Sequence, residues 1–370
     1  MSPHVRTLLA LTLAIGILGF VMFALSDTES DSTRSPTTSS QEVQVASAVV
    51  PPLEAPSSPA EVSPVQEGVS SAISDTATAN RVSDPYPFPP ESFITVNERA
   101  FAALVNILCT TNTDNLPSIS GSGVIIDPRG VILTNAHIAQ YVLLAQSGRT
   151  AISCVVQSGF PARPLWSAEV LYIPPVWIKE HAADITSAHP VGTGEHDYAL
   201  LRMTGVIDPN VIPPQSIALP IDVRGAIAFL GDLVLSASYP AEFIGDTTQY
   251  GLLPLSSISK IEELLTFSSQ SVDVISLGNV PGAQSGSSGG PVVNAWGRVV
   301  GLITTTSAAA TLSERELRAI TLSYINNDLV RQTGSSLEAF LADDIAEKAK
   351  SFREHQAPAL IEALIQAITH

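Results

Sequence analysis

Three short stretches of the 370-residue chain carry side chains whose types suit nucleophilic attack on a carbonyl carbon. Ser288 lies in Gly286-Ser287-Ser288-Gly289-Gly290-Pro291, His137 closes Thr134-Asn135-Ala136-His137, and Asp197 opens Asp197-Tyr198-Ala199-Leu200-Leu201. A serine hydroxyl is a weak nucleophile at neutral pH and needs an imidazole to take its proton. A carboxylate then holds that imidazole in the right tautomer and stabilises its charged form. The backbone N–H groups of Gly286 and Ser288 are the candidate donors for the oxyanion of a tetrahedral intermediate; losing one such donor costs about 2.7–4 kcal/mol of transition-state stabilisation. Gly286 turns where a Cβ would clash, and Gly289 and Gly290 let another backbone approach closely. Such chemistry calls for no metal or cofactor.

Other residues compete for these roles. Asp184, Asp208, Asp222, Asp232, Asp246 and Asp273 also lie between His137 and Ser288. Most sit among Pro, Gly or polar residues and read as turns, and Asp232 opens a later strand. Asp197 stands at the mouth of an apolar run, where its carboxylate can be buried beside the base. His181, Asp184, His189 and His196 invite a metal reading, but their spacing fits no compact zinc pattern. Their Pro-, Gly- and Ala-rich surroundings read as a loop insertion. Placing the serine in a nucleophile elbow of α/β-hydrolase type, an esterase, needs a histidine after it. Only His355 and His370 follow Ser288, one in a charged helical stretch and one at the last position.

In this order and context the motifs resemble the trypsin-like serine proteases, and within them the membrane-anchored bacterial HtrA-like type. The resemblance runs from about Phe101 to Asn327. It implies His137 as base, Asp197 as orienting acid, Ser288 as nucleophile, and Gly286 and Ser288 as the oxyanion hole. Gly121-Ser122-Gly123-Val124-Ile125-Ile126 before Asp127-Pro128-Arg129-Gly130 is similar to the family's hairpin ahead of the histidine. Gly231-Asp232-Leu233-Val234 and Ser238-Tyr239-Pro240-Ala241 resemble the entry to its second barrel. Two departures from trypsin matter. Ser287 replaces the acid that receives a freed N-terminus, which argues against activation by cutting an N-terminal peptide. Gly282, followed by Ala283, stands where trypsin has its specificity carboxylate. With Ser285 nearby and residues 319–323 as a wall, Thr321 and Leu322 included, the expected S1 pocket is small to medium and uncharged, favouring Val, Ala, Ile or Leu at P1. HtrA proteases usually carry a PDZ domain after the protease; here the tail is too short and too helical for one.

The architecture expected around these motifs is all-β. From about Glu91, short β-branched runs are cut by Gly and Pro, at residues 124–126, 131–133, 152–156, 168–173, 233–237, 272–277, 292–293, 299–305 and 320–324. Two packed antiparallel β-barrels with the site between them are what the family resemblance adds. Residues 91–335 are expected to form this domain. Residues 336–370 read as a helical C-terminal tail, with a capping box at Ser335-Ser336-Leu337-Glu338 and a break at Gln356-Ala357-Pro358. Its apolar stripe either packs onto the protease domain or supports a homo-oligomer.

Residues 1–25 contain an uncharged apolar run, 7–25, long enough to cross a bilayer as a helix. Arg6 precedes it and Asp27, Glu29 and Asp31 follow, so the rest of the chain is expected on the extracytoplasmic side, in the periplasm or at the cell surface. Residues 1–25 are therefore expected to form a cytoplasmic stub and transmembrane anchor, with a cleaved signal peptide as the alternative. Residues 26–90, rich in Ser, Thr, Pro, Ala and Glu, read as a disordered linker. The net charge of −17 and the absence of a Lys/Arg cluster argue against nucleic acid. The chain has two cysteines, Cys109 and Cys154, which bracket the histidine hairpin; a disulfide between them is expected in an oxidising compartment, with two buried thiols as the alternative. The function expected is a serine endopeptidase acting on extracytoplasmic proteins or peptides. The alternative is a protease-like binding or sensing module that has lost turnover.

Overall fold

Strands built from β-branched residues need both faces covered when their apolar run is unbroken. Val131-Ile132-Leu133-Thr134 is such a run, and its fold explains why. A computed structural model of the chain describes residues 84–112, 116–187, 192–213, 217–241, 252–267, 271–280, 286–306 and 316–369. Strands β1 (Leu104–Thr111), β2 (Ile119–Asp127), β3 (Val131–Thr134), β4 (Ile152–Ser158), β5 (Arg163–Tyr172) and β6 (Ala199–Val206) close into a barrel in the order β1-β2-β3-β6-β5-β4. Ile125, Ile132 and Leu201 fill its interior. Their strand neighbours Val124, Val131, Leu133 and Leu200 point the other way, into a second cluster shared with Leu235, Val293, Leu302 and Ile320. Side chains alternate across a strand, so one run serves two cores.

The partner of that outer face is a seven-stranded antiparallel sheet. It comprises β7 (Leu233–Ser238), β8 (Leu255–Lys260), β9 (Glu263–Leu265), β10 (Val274–Ser276), β11 (Pro291–Asn294), β12 (Val299–Thr306) and β13 (Leu317–Thr321), in the order β8-β7-β11-β12-β13-β10-β9. Its two outermost strands, β8 and β9, are joined through Ile261 and Glu262 alone. That short link brings the two ends of the sheet together and rolls it into a barrel-like form. The expectation of two barrels therefore holds in outline, with closure through hydrogen-bonded strands in the first.

Helices are more numerous than an all-β reading allows. Helix α1 (Phe93–Ala103) opens the domain, with the Ser92 hydroxyl accepting from Thr95 N at 3.2 Å. Helix α2 (Ala136–Gln146) follows β3 directly, and α3 (Pro175–His181) follows β5. Helix α2 escaped the sequence pattern because it is buried on nearly every side and so shows no apolar stripe. The run at 320–324, expected as a strand, splits: β13 ends at Thr321, whose hydroxyl accepts from Tyr324 N at 3.1 Å and starts α4 (Leu322–Thr333). Gly334 ends that helix in the left-handed region at φ 77°.

The C-terminal tail forms α5 (Leu337–Ala342), α6 (Ile345–His355) and α7 (Ala357–Thr369). Ser336, one residue later than expected, caps α5. Pro358 stands in the first turn of α7, where its missing N–H has no intrahelical partner to lose. Phe352, Ala357, Leu360 and Leu364 join the core of the first barrel, and Arg353 reaches Glu169 of β5 at 2.6 Å. Part of the apolar stripe of the tail thus packs onto the first barrel, as the packing alternative requires.

The linker boundary expected at residue 90 lies further upstream. The Tyr86 hydroxyl donates to Asp222, and its ring lies 5.4 Å from Phe88 and 5.3 Å from Trp296. Arg224 and Arg298 lie over the same ring at 5.1 and 5.0 Å, an arrangement that attracts cations. Residues 84–90 are therefore docked on the second sheet. The expected span at 7–25 and the rest of the linker lie outside the described residues, among which no helix is long and apolar enough to cross a membrane.

Candidate active site

The site forms where the first barrel meets the second sheet. Strand β3 delivers Thr134 and Asn135, and His137 is the second residue of α2. The first N–H groups of a helix have no intrahelical acceptor. Here the Asp197 carboxylate supplies one: Oδ1 accepts from His137 N at 3.0 Å, while Oδ2 meets His137 Nδ1 at 2.8 Å. One carboxylate therefore caps the helix and orients the imidazole the helix carries. Asn135 donates from Nδ2 to the Asp197 carbonyl at 2.8 Å, and Thr304 of β12 donates its hydroxyl to Oδ2 at 2.8 Å. Burial pushes the Asp197 carboxyl up. The charge and hydrogen bonds of His137, with the Thr304 hydroxyl, outweigh it and hold the group below the ordinary carboxylate value.

The competing acids are engaged elsewhere. Asp184 pairs with His181 at 2.9 Å, Asp208 accepts from Asn210 N at 2.9 Å, and Asp222 meets Arg224 at 2.7 Å. Asp232 accepts from Phe229 N at 3.1 Å, and Asp273 accepts from Ser271 at 2.6 Å. Asp246 and His189 lie outside the described residues. His196, weighed above as a metal ligand, instead contacts Asp328 at 2.9 Å. Among the described residues no cluster of three or more His, Cys, Asp or Glu could hold a metal ion.

Ser288 reaches the site through Ser122 of β2. Ser122 N donates to the Ser288 carbonyl at 2.7 Å and Ser122 Oγ donates to the Gly286 carbonyl at 2.6 Å. Thr134 Oγ1 in turn donates to the Ser122 carbonyl at 2.7 Å. The loop that carries Ser288 is thus tied to the strand that delivers His137. Gly289, at φ 85°, is so close that a Cβ there would stand 2.0 Å from the Ser122 carbonyl oxygen and 2.6 Å from Thr134 Oγ1. Gly286, at φ 88°, leaves no room either, with Tyr239 O at 2.6 Å from the same hypothetical atom. Among the described residues, Gly286 N and Ser288 N donate to no acceptor, and the Ser288 hydroxyl has no hydrogen-bond partner, His137 included. Catalytic contacts in unliganded sites are often long and tighten when substrate arrives.

The sequence missed Thr304 and Ser122 as site residues. Ser122 had a signal, a hydroxyl between two glycines in an otherwise apolar strand. Thr304 had none, since a threonine in a β-branched run is ordinary. Of the residues expected around S1, Gly282, Ala283 and Ser285 lie outside the described residues. Thr321 directs its hydroxyl to the Val272 carbonyl at 2.8 Å, and Leu322 is 0% exposed in the core beneath α4. Leu322 therefore offers no surface to a substrate, because the helix it starts turns it inward. Ser287 is buried, with its hydroxyl accepting from Ser238 at 3.1 Å. Cys109 and Cys154 form a disulfide across directly opposed positions of β1 and β4, at the seam that closes the barrel.

A search of curated proteins gives no match. A serine endoprotease from Yersinia pestis, known from a crystal structure, is similar at 19% identity and a TM-score of 0.41, covering 67% of this chain and 69% of its own. The family model of the trypsin-like peptidase domain matches residues 121–302, from the hairpin before His137 to the strand after Ser288. That stretch is similar to a trypsin-like peptidase domain, and the match supports a trypsin-like serine protease.

Proposed function

We propose that the protein is a serine endopeptidase in which His137 is the general base, Asp197 its orienting acid and Ser288 the nucleophile. The observation that carries this reading is the Asp197 carboxylate, which meets both the N–H and Nδ1 of His137 while burial and Thr304 fix its position. With Asp197 on Nδ1, the Nε2 face of the ring is left to take the serine proton and return it to the leaving amine. The N–H groups of Gly286 and Ser288, unengaged among the described residues, receive the oxyanion.

The reading extends to substrate and place. Gly282 and Ala283 supply no carboxylate at the pocket base, so cleavage follows uncharged residues; a peptide-library digest dominated by Lys or Arg at P1 would overturn that part. The apolar run at 7–25, its flanking charges and the Cys109–Cys154 disulfide support an extracytoplasmic enzyme tethered to a membrane, acting on proteins there. The decisive experiment is fluorophosphonate labelling read beside casein cleavage, with and without Ser288→Ala. Both signals should vanish in the variant. A folded wild-type protein that neither labels nor cleaves would instead identify a silent binding module.

A further inference from the structure

Asp197 is bracketed by two residues tied to one buried carboxylate. His196 Nδ1 lies 2.9 Å from Asp328 Oδ2, and the Tyr198 hydroxyl donates to the same oxygen at 3.0 Å. Asp328 sits on α4, beyond the second sheet, and its side chain is 1% exposed. His196 N donates to the Tyr324 hydroxyl of the same helix at 3.1 Å. Within the turn, Asp197 N donates to the Gly194 carbonyl at 3.2 Å and Tyr198 N to the His196 carbonyl at 2.9 Å.

The turn needs this hold. His196 has φ 58°, a left-handed conformation that side chains with a Cβ avoid. Such strain persists where surrounding contacts over-determine it, and it gathers at functional sites. Here the strained residue immediately precedes the proposed catalytic acid. Apolar packing alone would seat α4, since Leu322, Ile325 and Leu329 are fully buried. The polar cluster adds something different, fixing the backbone on both sides of Asp197.

We infer that Asp328, acting through His196 and Tyr198, is a positioning residue that aims the Asp197 carboxylate at His137. This rests on the triad reading above. Other charged groups face the cluster. Glu195 Oε1 stands 3.9 Å from His196 Nε2, and Glu180 adds negative charge nearby. Arg331 meets Asp328 Oδ1 at 3.1 Å, and Gln332 donates to Oδ2 at 2.5 Å.

The test uses Asp328→Asn and His196→Asn in the full chain. The first keeps shape and an acceptor while removing the charge. The second keeps a residue that tolerates positive φ while removing the imidazole. Each should lower kcat on a peptide substrate, and the fluorophosphonate labelling rate, by about 10–100-fold with KM nearly unchanged, as expected for misplaced catalytic geometry. The double variant should be no worse than either single one, since the two act as a unit. The low-field proton resonance of His137 Nδ1–H should shift or broaden in both. Folded single variants with wild-type rates and an unmoved resonance, or losses that multiply in the double variant, would overturn the inference. Should Asp328→Asn fail to fold, His196→Asn decides alone. Should even the wild-type protein fail to label, the triad reading falls, while the resonance still reports whether Asp328 controls the His137–Asp197 bond.

Discussion

Two histidine–aspartate pairs stand next to each other along the chain, and their central bonds are nearly identical. His137 Nδ1 meets Asp197 Oδ2 at 2.8 Å, and His196 Nδ1 meets Asp328 Oδ2 at 2.9 Å. Their surroundings differ. Among the described residues, the remaining hydrogen bonds to the Asp197 carboxylate come from the N–H of the same histidine and from Thr304, so the carboxylate serves one imidazole. Asp328 also receives Tyr198, Arg331 and Gln332, so its histidine is one of several residues drawn together. The first pair is built to present a ring, the second to hold a backbone. Residue type and distance do not distinguish them; the other partners of each carboxylate do.

The largest effect should separate the pairs outright. Losing the base or the nucleophile of a serine protease triad lowers kcat by about 10⁴-fold or more, and the two losses are far from additive. His137→Ala and Ser288→Ala should each reach that scale in labelling and cleavage, and the double variant should be little worse. His196→Ala should stay within the smaller range of a misplaced group, about 100-fold. A His196→Ala loss equal to that of His137→Ala, in a folded protein, would erase the distinction between the pairs.

A control far from both pairs sharpens the contrast by changing stability without touching either bond. The Cys109–Cys154 disulfide links residues 45 apart in sequence. In the chain-entropy model its removal costs about 3–4 kcal/mol, because the unfolded chain regains freedom. Cys109→Ala with Cys154→Ala should lower the denaturant midpoint accordingly, while the labelling rate of the folded fraction stays at the wild-type value. A labelling loss without a stability loss would mean that the seam between β1 and β4 controls the site.

The two pairs were unequally legible in the sequence. His137, Asp197 and Ser288 stand out because a nucleophile needs glycines, a buried acid needs an apolar run, and their order is informative. Asp328 carries no such mark. It lies in a helix read as a strand at its start, because Ile320-Thr321-Leu322-Ser323-Tyr324 carries β-branched and aromatic residues while the Thr321 cap is invisible without geometry. His196 was visible only as a histidine near others, in a stretch read as a loop insertion. Helix α2 was hidden for a different reason: complete burial erases the periodicity that marks a helix. Strands facing two cores, by contrast, announced themselves as unbroken apolar runs. Local chemistry was legible, and contacts between segments distant in sequence were not.

A smaller effect comes from removing one hydroxyl donor from each carboxylate. Thr304→Val deletes the donor to Asp197, and Tyr198→Phe deletes a donor to Asp328. Hydrogen bonds to charged groups contribute about 1.5–3 kcal/mol, so both variants should lose stability on that scale. Only Thr304→Val should slow labelling strongly, since among the described residues Asp197 has no other side-chain donor besides His137, whereas Asp328 keeps three. Equal slowing in both would show that the second carboxylate is as tightly coupled to the chemistry as the first.

The smallest effect is a pH signature of the second pair alone. Burial by itself would lower His196, but the bond and charge of Asp328, with Glu195 and Glu180 beyond it, raise it above the ordinary imidazole value. A raised value means that the folded state favours the protonated ring. Its stabilisation is complete below the unfolded value of about 6.5 and is lost as the pH rises through the higher folded value. Asp328 has the opposite sign. Burial pushes it up, yet His196, Tyr198 and Gln332 outweigh that and hold it below the ordinary carboxylate value. Its stabilisation is present above the unfolded value of about 3.9 and is lost as the pH falls through the lower folded one. Together the pair stabilises the fold most between about pH 4 and 6.5 and fades on either side. Asp197 also titrates low and steepens the acid limb, so the wild-type curve alone mixes both pairs. Subtracting the curve of Asp328→Asn leaves Asp197 in both and isolates the second pair. The difference in Tm, measured from pH 3 to 9, should form a plateau in the mildly acidic range with a fall on the alkaline side. A difference that is flat from mildly acidic to alkaline pH would mean that His196 carries no charge against Asp328. The second pair would then hold its turn by neutral hydrogen bonds alone.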